Sequence, residues 1–171
     1  MKAIGIFFLT LFFVFTSAAQ ETCQLGLQNA PALHNLKLGA SPAEARSVFG
    51  KDLKIKNKRS GEYTFFQNFI EKPATNSLAG IRALYLRFFD GSLYQIEIFY
   101  EDSTLPATLE NFVNLQSTRL NLPREAWQIK YGIAGINCGG FSLAADAFLN
   151  PRLQLTDEMT LARVEAKRKK D

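Results

Sequence analysis

Cys138 is followed by two glycines in Ile136-Asn137-Cys138-Gly139-Gly140-Phe141, and the chain's single histidine, His34, is the one imidazole that could act as its base. A thiolate in that setting could attack a carbonyl, with the glycine N–H groups approaching the developing oxyanion. The same residues have a second reading. Cys23 is the only other cysteine, and an exported chain with two cysteines pairs them in an oxidising compartment. Gly139 and Gly140 would then serve a tight turn, and the closed loop would be worth about 4 to 5 kcal/mol of chain entropy. One reading makes Cys138 a nucleophile, the other makes it half of a tether.

Other chemistry has little to draw on. One histidine and two distant cysteines supply none of the close ligand pairs that zinc sites use, so no metal and no cofactor is expected. The chain contains no GxSxG, HExxH or P-loop pattern. Carboxylate pairs for glycoside hydrolysis could be drawn from Glu97, Glu101, Asp102, Glu110 and Asp146, but any chain of this length offers such pairs. Enzymatic activity is therefore not the expectation.

Two surface features could bind rather than react. Lys51, Lys54, Lys56, Lys58 and Arg59 alternate with apolar residues. On an edge strand such cations guard against edge-to-edge pairing, and Lys54, Lys56, Lys58 and Arg59 could also hold an anionic surface or polymer. The second feature is Leu86, Phe88, Leu93 and Phe99 on one side of a hairpin. They form a second core layer if a helix covers them, and a protein-binding patch if none does.

These residues are reached through a leader. Lys2 precedes the apolar run Ile4 to Phe15, and Ser17-Ala18-Ala19 offers the small residues a signal peptidase requires. The run is shorter than the roughly 20 residues a membrane-spanning helix needs. Residues 1–19 are thus read as a signal peptide and residues 20–171 as one domain, periplasmic or secreted, without a transmembrane span. Loss of Lys2 lowers the formal charge of +4 by one, too small an excess to call for nucleic acid. The mature part keeps most of the aromatic residues, enough for a real core.

The elements that must position the candidates follow from local patterns. Ser41-Pro42-Ala43-Glu44 combines a cap serine, a proline at the first helical position and a glutamate that closes a capping box, and Gly50 ends the helix. Leu53 and Ile55 alternate with lysines as in a half-exposed strand, and Glu62 to Ile70 reads as a second. Asp90-Gly91 divides Ile81 to Tyr100 into a hairpin. With Phe89 opposite Ser92, an unbroken register puts Tyr85 opposite Ile96, Ala83 opposite Ile98 and Ile81 opposite Tyr100, and turns that side to the core. Pro106 to Leu120 reads as a second helix, through Leu109, Phe112, Val113, Gln116 and Leu120. Trp127 to Tyr131, Phe141 to Phe148 and Arg152 to Leu155 read as strands. Thr156 then caps a last helix whose acidic start and basic end suit its dipole. No sequence repeat is visible. The sum is an α+β fold, a mostly antiparallel sheet of five or six strands with three helices.

The stretch Leu36-Lys37-Leu38-Gly39-Ala40-Ser41-Pro42-Ala43-Glu44-Ala45-Arg46-Ser47-Val48-Phe49-Gly50 resembles the opening of small bacterial envelope domains: outer-membrane assembly lipoproteins of the SmpA/OmlA type and β-lactamase-inhibitor-like modules. The chain has no lipid-attachment motif before Cys23, carries Ala40 where methionine is usual, and has a longer C-terminal part. The resemblance implies a noncatalytic envelope protein that binds another protein, its partner unspecified. Protein recovered from its native compartment should begin at Gln20, carry no lipid, and resist alkylation until it is reduced. Intact-mass spectrometry reads all three, and two thiols alkylated without reductant would restore the nucleophile reading.

Overall fold

The computed structural model describes residues 23–50, 53–59, 61–70, 78–101, 106, 108–147 and 151–170, with only the backbone at 57–59. Residues 1–19, read as a signal peptide from their sequence, and Lys51, Asp102, Phe148 and the side chains of Lys58 and Arg59 lie outside the described residues. Within them, eight strands form a single antiparallel sheet with three α-helices. The α+β class thus stands, with eight strands against the five or six of the summed expectation and the seven segments read singly. The strand that local pattern left unread is β6, a five-residue segment interrupted by Gly135 and joined to its neighbour through Tyr131-Gly132, both at positive φ.

The first half runs α1 (Pro42–Phe49), β1 (Lys54–Arg59), β2 (Glu62–Asn68), β3 (Ile81–Phe89) and β4 (Ser92–Tyr100). The second runs α2 (Leu109–Leu120), β5 (Gln128–Lys130), β6 (Ile133–Asn137), β7 (Phe141–Asp146) and β8 (Arg152–Asp157), and α3 (Glu158–Arg168) closes the chain. The sheet order β1-β2-β3-β4-β8-β7-β6-β5 gives the same plan from either edge. Each half is a helix followed by a four-strand meander whose last strand lies at the centre. The repeat is one of architecture, not of residues.

Local chemistry explains the helix ends. Ser41 Oγ accepts from the Glu44 N–H, and the Glu44 carboxylate accepts from the Ser41 N–H at 2.7 Å, completing the box. Thr108 caps α2 by accepting from the Asn111 N–H. The cap of α3 is Asp157, not Thr156: Asp157 Oδ1 accepts from the Thr160 N–H, while Thr156 is still a buried residue of β8. A carboxylate outcompetes the neighbouring hydroxyl because it also complements the helix dipole.

The hairpin β3–β4 turns at Asp90-Gly91, both at positive φ, as a two-residue turn requires. Phe89 pairs with Ser92 and Ile81 with Tyr100, as the turn dictates. Between those ends the register is displaced. Tyr94 is an extra residue on β4 and Arg82 an extra residue on β3, so Tyr85 faces Glu97 and Leu86 faces Ile96. The first bulge exchanges the two faces of β3, and the second restores the register. Leu84, Leu86 and Phe88 therefore turn inward with Leu93, Ile96 and Ile98, all fully buried.

That inner face carries the main core. Ala45 and Phe49 of α1, Phe112 and Val113 of α2, and Leu143, Leu153 and Leu155 of the second half belong to one cluster with it. Two helices thus cover one side of the sheet, and α3 lies against the other through Val164, Leu161, Phe89 and Tyr94. The N-terminal segment seals the core's margin. Cys23 and Cys138 are bonded, both buried, across 115 positions of sequence. Beside that bond the chain passes so close to Gly140 that a Cβ there would lie 2.6 Å from the Leu27 backbone nitrogen. Gly140→Ala should therefore push residues 23–29 away and cost about 1–3 kcal/mol, as overpacking does. Equilibrium urea unfolding measures this, and an unchanged midpoint would mean that the segment yields freely.

Candidate functional site

The structure decides between the two readings of Cys138. Its sulfur is bonded to that of Cys23 and no free cysteine remains, so it offers no thiolate. Gly139 turns at positive φ with its N–H donating to Asn137 Oδ1 at 2.8 Å, which closes the β6–β7 turn rather than leaving a donor for an oxyanion. His34 sits in a separate two-residue turn between Leu33 and Leu36.

The patch of Leu86, Phe88, Leu93 and Phe99 does not exist as a surface. The first three are fully buried in the main core, and only Phe99 lies on the opposite side, half-exposed. The cause is the Tyr94 bulge. Of the anion-binding residues, Lys54 and Lys56 are exposed on β1, the sheet's edge strand, where the lysines had been expected. Among the carboxylates, Glu97 is buried between two arginines and Glu110 pairs with Arg124 at the surface. Among the described residues no cluster of three metal-ligating side chains occurs, and no helix is long and apolar enough to cross a membrane.

What the structure does bring together is the side of the sheet away from the main core. Strand register sets Phe66, Tyr85, Glu97 and Gln154 in one row across β2, β3, β4 and β8, with Thr64, Arg87, Gln95 and Thr156 in the next. Phe66 and Tyr85 rings lie 4.7 Å apart, Tyr85 and Phe99 5.8 Å apart, and the Lys56 ammonium stands 5.1 Å from the Phe66 and Tyr85 rings. Glu97 accepts from Arg152 at 3.0 Å and from Arg87 at 3.4 Å. Arg87 also donates to Gln95, whose amide donates to Thr156 Oγ1 at 3.0 Å.

This arrangement has a physical logic. Glu97 and Gln95 are buried polar groups on a central strand, and each needs a partner or costs several kcal/mol. The arginines supply those partners while about a third of each side chain stays exposed. Chemically the surface presents aromatic rings and guanidinium groups on the inner strands of the sheet. Arg87, Gln95, Glu97, Arg152 and Gln154 were legible as polar residues within apolar runs, but local pattern did not show that they share a face.

The rest of this side is closed by α3. Glu62 accepts from Tyr94 Oη at 2.7 Å and from Arg168 Nε at 3.0 Å, and Arg163 and Lys167 lie over the Phe89 ring. Burial would raise the Glu62 carboxyl, but hydrogen bonds from Arg168 and Tyr94 and the nearby guanidinium charges outweigh it and hold it below the ordinary 4.5. Burial, with donation to Glu62, pushes the Tyr94 phenol well above its ordinary range.

No protein-family profile, curated protein or solved structure matches the chain. The site is therefore read from its own geometry.

A carboxylate lowered on folding stabilises the fold above its unfolded value and loses that contribution as pH falls through the folded value. The hold of α3 by Glu62 should thus be complete at neutral pH and fade below about pH 4.5. Urea midpoints followed from pH 7 to pH 3 should fall less in Glu62→Gln than in the wild-type chain. Parallel curves would remove Glu62 from the docking of α3.

Proposed function

We propose that this chain is an exported, noncatalytic protein-interaction module, and that the part of the sheet left uncovered by α3 is its binding surface. The observation that carries this is the half-exposed set of Phe66, Tyr85 and Phe99 beside Arg87 and Arg152. Tyrosine, phenylalanine and arginine concentrate at protein interfaces because they bury large area, lose little side-chain entropy and donate hydrogen bonds. Rings packed on one another and guanidinium groups fixed by a buried carboxylate are ordered before binding, which removes part of the cost of association.

The location follows from two supports. Residues 1–19 carry the pattern of a cleavable signal, and the Cys23–Cys138 bond suits an oxidising compartment, periplasmic or extracellular. The buried, bonded Cys138 weighs against the thiol-enzyme alternative. The envelope-domain likeness of residues 36–50 points the same way as the face.

A photo-crosslinking residue at position 85 should capture a protein in the native compartment, whereas the same residue at position 47, exposed on α1 on the other side of the sheet, should not. Affinity of the purified partner should then fall about thirty-fold or more in Tyr85→Ala, the scale of an interface hot spot, while the variant's unfolding free energy from urea melts falls by no more than about 1–2 kcal/mol through the lost ring contacts. Full affinity in both Tyr85→Ala and Phe99→Ala would place the interface elsewhere and end this reading.

A further inference from the structure

The charges on the uncovered face are not balanced. Among the described residues, Lys54, Lys56, Arg87, Lys130 and Arg152 stand on this face against Glu97 and Asp146, and of those carboxylates Glu97 is buried beneath the arginines that bind it. Lys56 differs in kind from the arginines. Among the described residues no carboxylate pairs with it, and aromatic rings hold its ammonium instead. A ring quadrupole orients a cation without neutralising it, so the full charge stays available to a ligand. Arg87 and Arg152 share Glu97, and each guanidinium has N–H donors beyond those spent on it.

From these positions we infer that the face binds an acidic segment of a partner protein in which an apolar or aromatic residue lies between two carboxylates. One carboxylate meets Lys56, the apolar residue rests on Phe66, Tyr85 and Phe99, and the other carboxylate meets Arg87 and Arg152. The spacing follows from the sheet. Adjacent strands lie about 4.8 Å apart, so Arg87 on β3 is about 10 Å across the sheet from Lys56 on β1, and Arg152 on β8 about 19 Å. An extended peptide crossing the strands advances about 3.3 Å per residue, which sets the carboxylates about three to six residues apart. The aromatic rings between the cations argue for a peptide over a bare polyanion or a lipid surface, which would leave that apolar area without a counterpart.

This inference rests on the reading of the face as a protein-binding surface, and its test keeps the two apart. The probe is an acetylated and amidated Glu-Gly-Phe-Leu-Gly-Glu peptide, titrated into the mature, disulfide-bonded chain and followed by backbone amide shifts. Saturable shifts on β1, β3 and β8 are expected, weakening with salt. The Gln-Gly-Phe-Leu-Gly-Gln peptide should bind about tenfold or more weakly, and Lys56→Met and Arg87→Met should each weaken the acidic peptide about fivefold or more. Lys169→Met, at the end of α3, should leave it within about twofold. Arg87→Met removes one partner of a buried carboxylate and could unfold the chain. Lys56→Met leaves no such group and remains readable.

Equal binding of the two peptides, absence of saturable shifts, loss on Lys169→Met in place of Lys56→Met, or binding of phosphatidylglycerol vesicles without peptide binding would each overturn the inference. A partner crosslinked at position 85 that still binds Lys56→Met and Arg87→Met fully, yet is lost on Tyr85→Ala, would keep the interface and remove its acidic ligand.

Discussion

The pairing of β4 with β8 joins two meanders that could not each bury a core alone. On one side it sets Ile96 against Leu155 and Ile98 against Leu153, all fully buried, so the helices of both halves share one apolar layer. On the other side the same ladder sets Gln95 against Thr156, Glu97 against Gln154 and Phe99 against Arg152. Because side chains alternate along a strand, these contacts cannot be varied independently. Core and candidate site are the two faces of one register. The pairing is also non-local, uniting strands more than fifty positions apart, and its closure entropy is met only once both meanders exist.

How much of this was legible in the sequence depended on the range of the interaction responsible. The capping box of α1, the Asp90-Gly91 turn and the apolar face of α2 are set by residues within a turn of one another, and the structure has them as read. The Cys23–Cys138 bond was legible for a different reason, since two cysteines leave one pairing. The faces of β3 were not. An unbulged hairpin puts Tyr85 inward and Leu86 outward, and nothing within Ser92 to Tyr100 announces that Tyr94 is the residue to be left unpaired. What selects the bulge is the far side. Tyr94 reaches Glu62 and packs beneath Val164 of α3, seventy positions on, contacts that no window of local sequence contains.

The unread strand β6 makes the same point in a milder form. Ile133 to Asn137 is short and contains a glycine, so its own preference is weak, and it becomes a strand because β7 supplies a ladder through Ala134–Ala145 and Ile136–Leu143. The misplaced cap of α3 is the opposite case. There a local competition between adjacent residues was settled by the sheet, which needs Thr156 as the partner of both Gln95 and Ser142 and so leaves the cap to Asp157.

The polar face costs stability, and that cost bears on what it is for. Glu97 and Gln95 occupy central positions where leucine or valine would bury area without desolvating a charge, and apolar replacement of a buried ion network is often neutral or stabilising. The network also meets requirements that the register does not impose. It holds two arginines upright on central strands, keeps them partly exposed, and places them beside rings that no helix of the described residues covers. Meanwhile α3 shows that this sequence can cover the face where covering is wanted, since Phe89 and Tyr94 are buried beneath it and fixed by Glu62 and Arg168. A helix of eleven residues that stops short of Phe66, Tyr85 and Phe99 leaves a border between a closed and an open region of one sheet. On physical grounds alone the open region would gain from burial. Its rings and guanidinium groups are ordered, charged and half-desolvated in advance, which is the condition in which a surface loses least when a partner completes it.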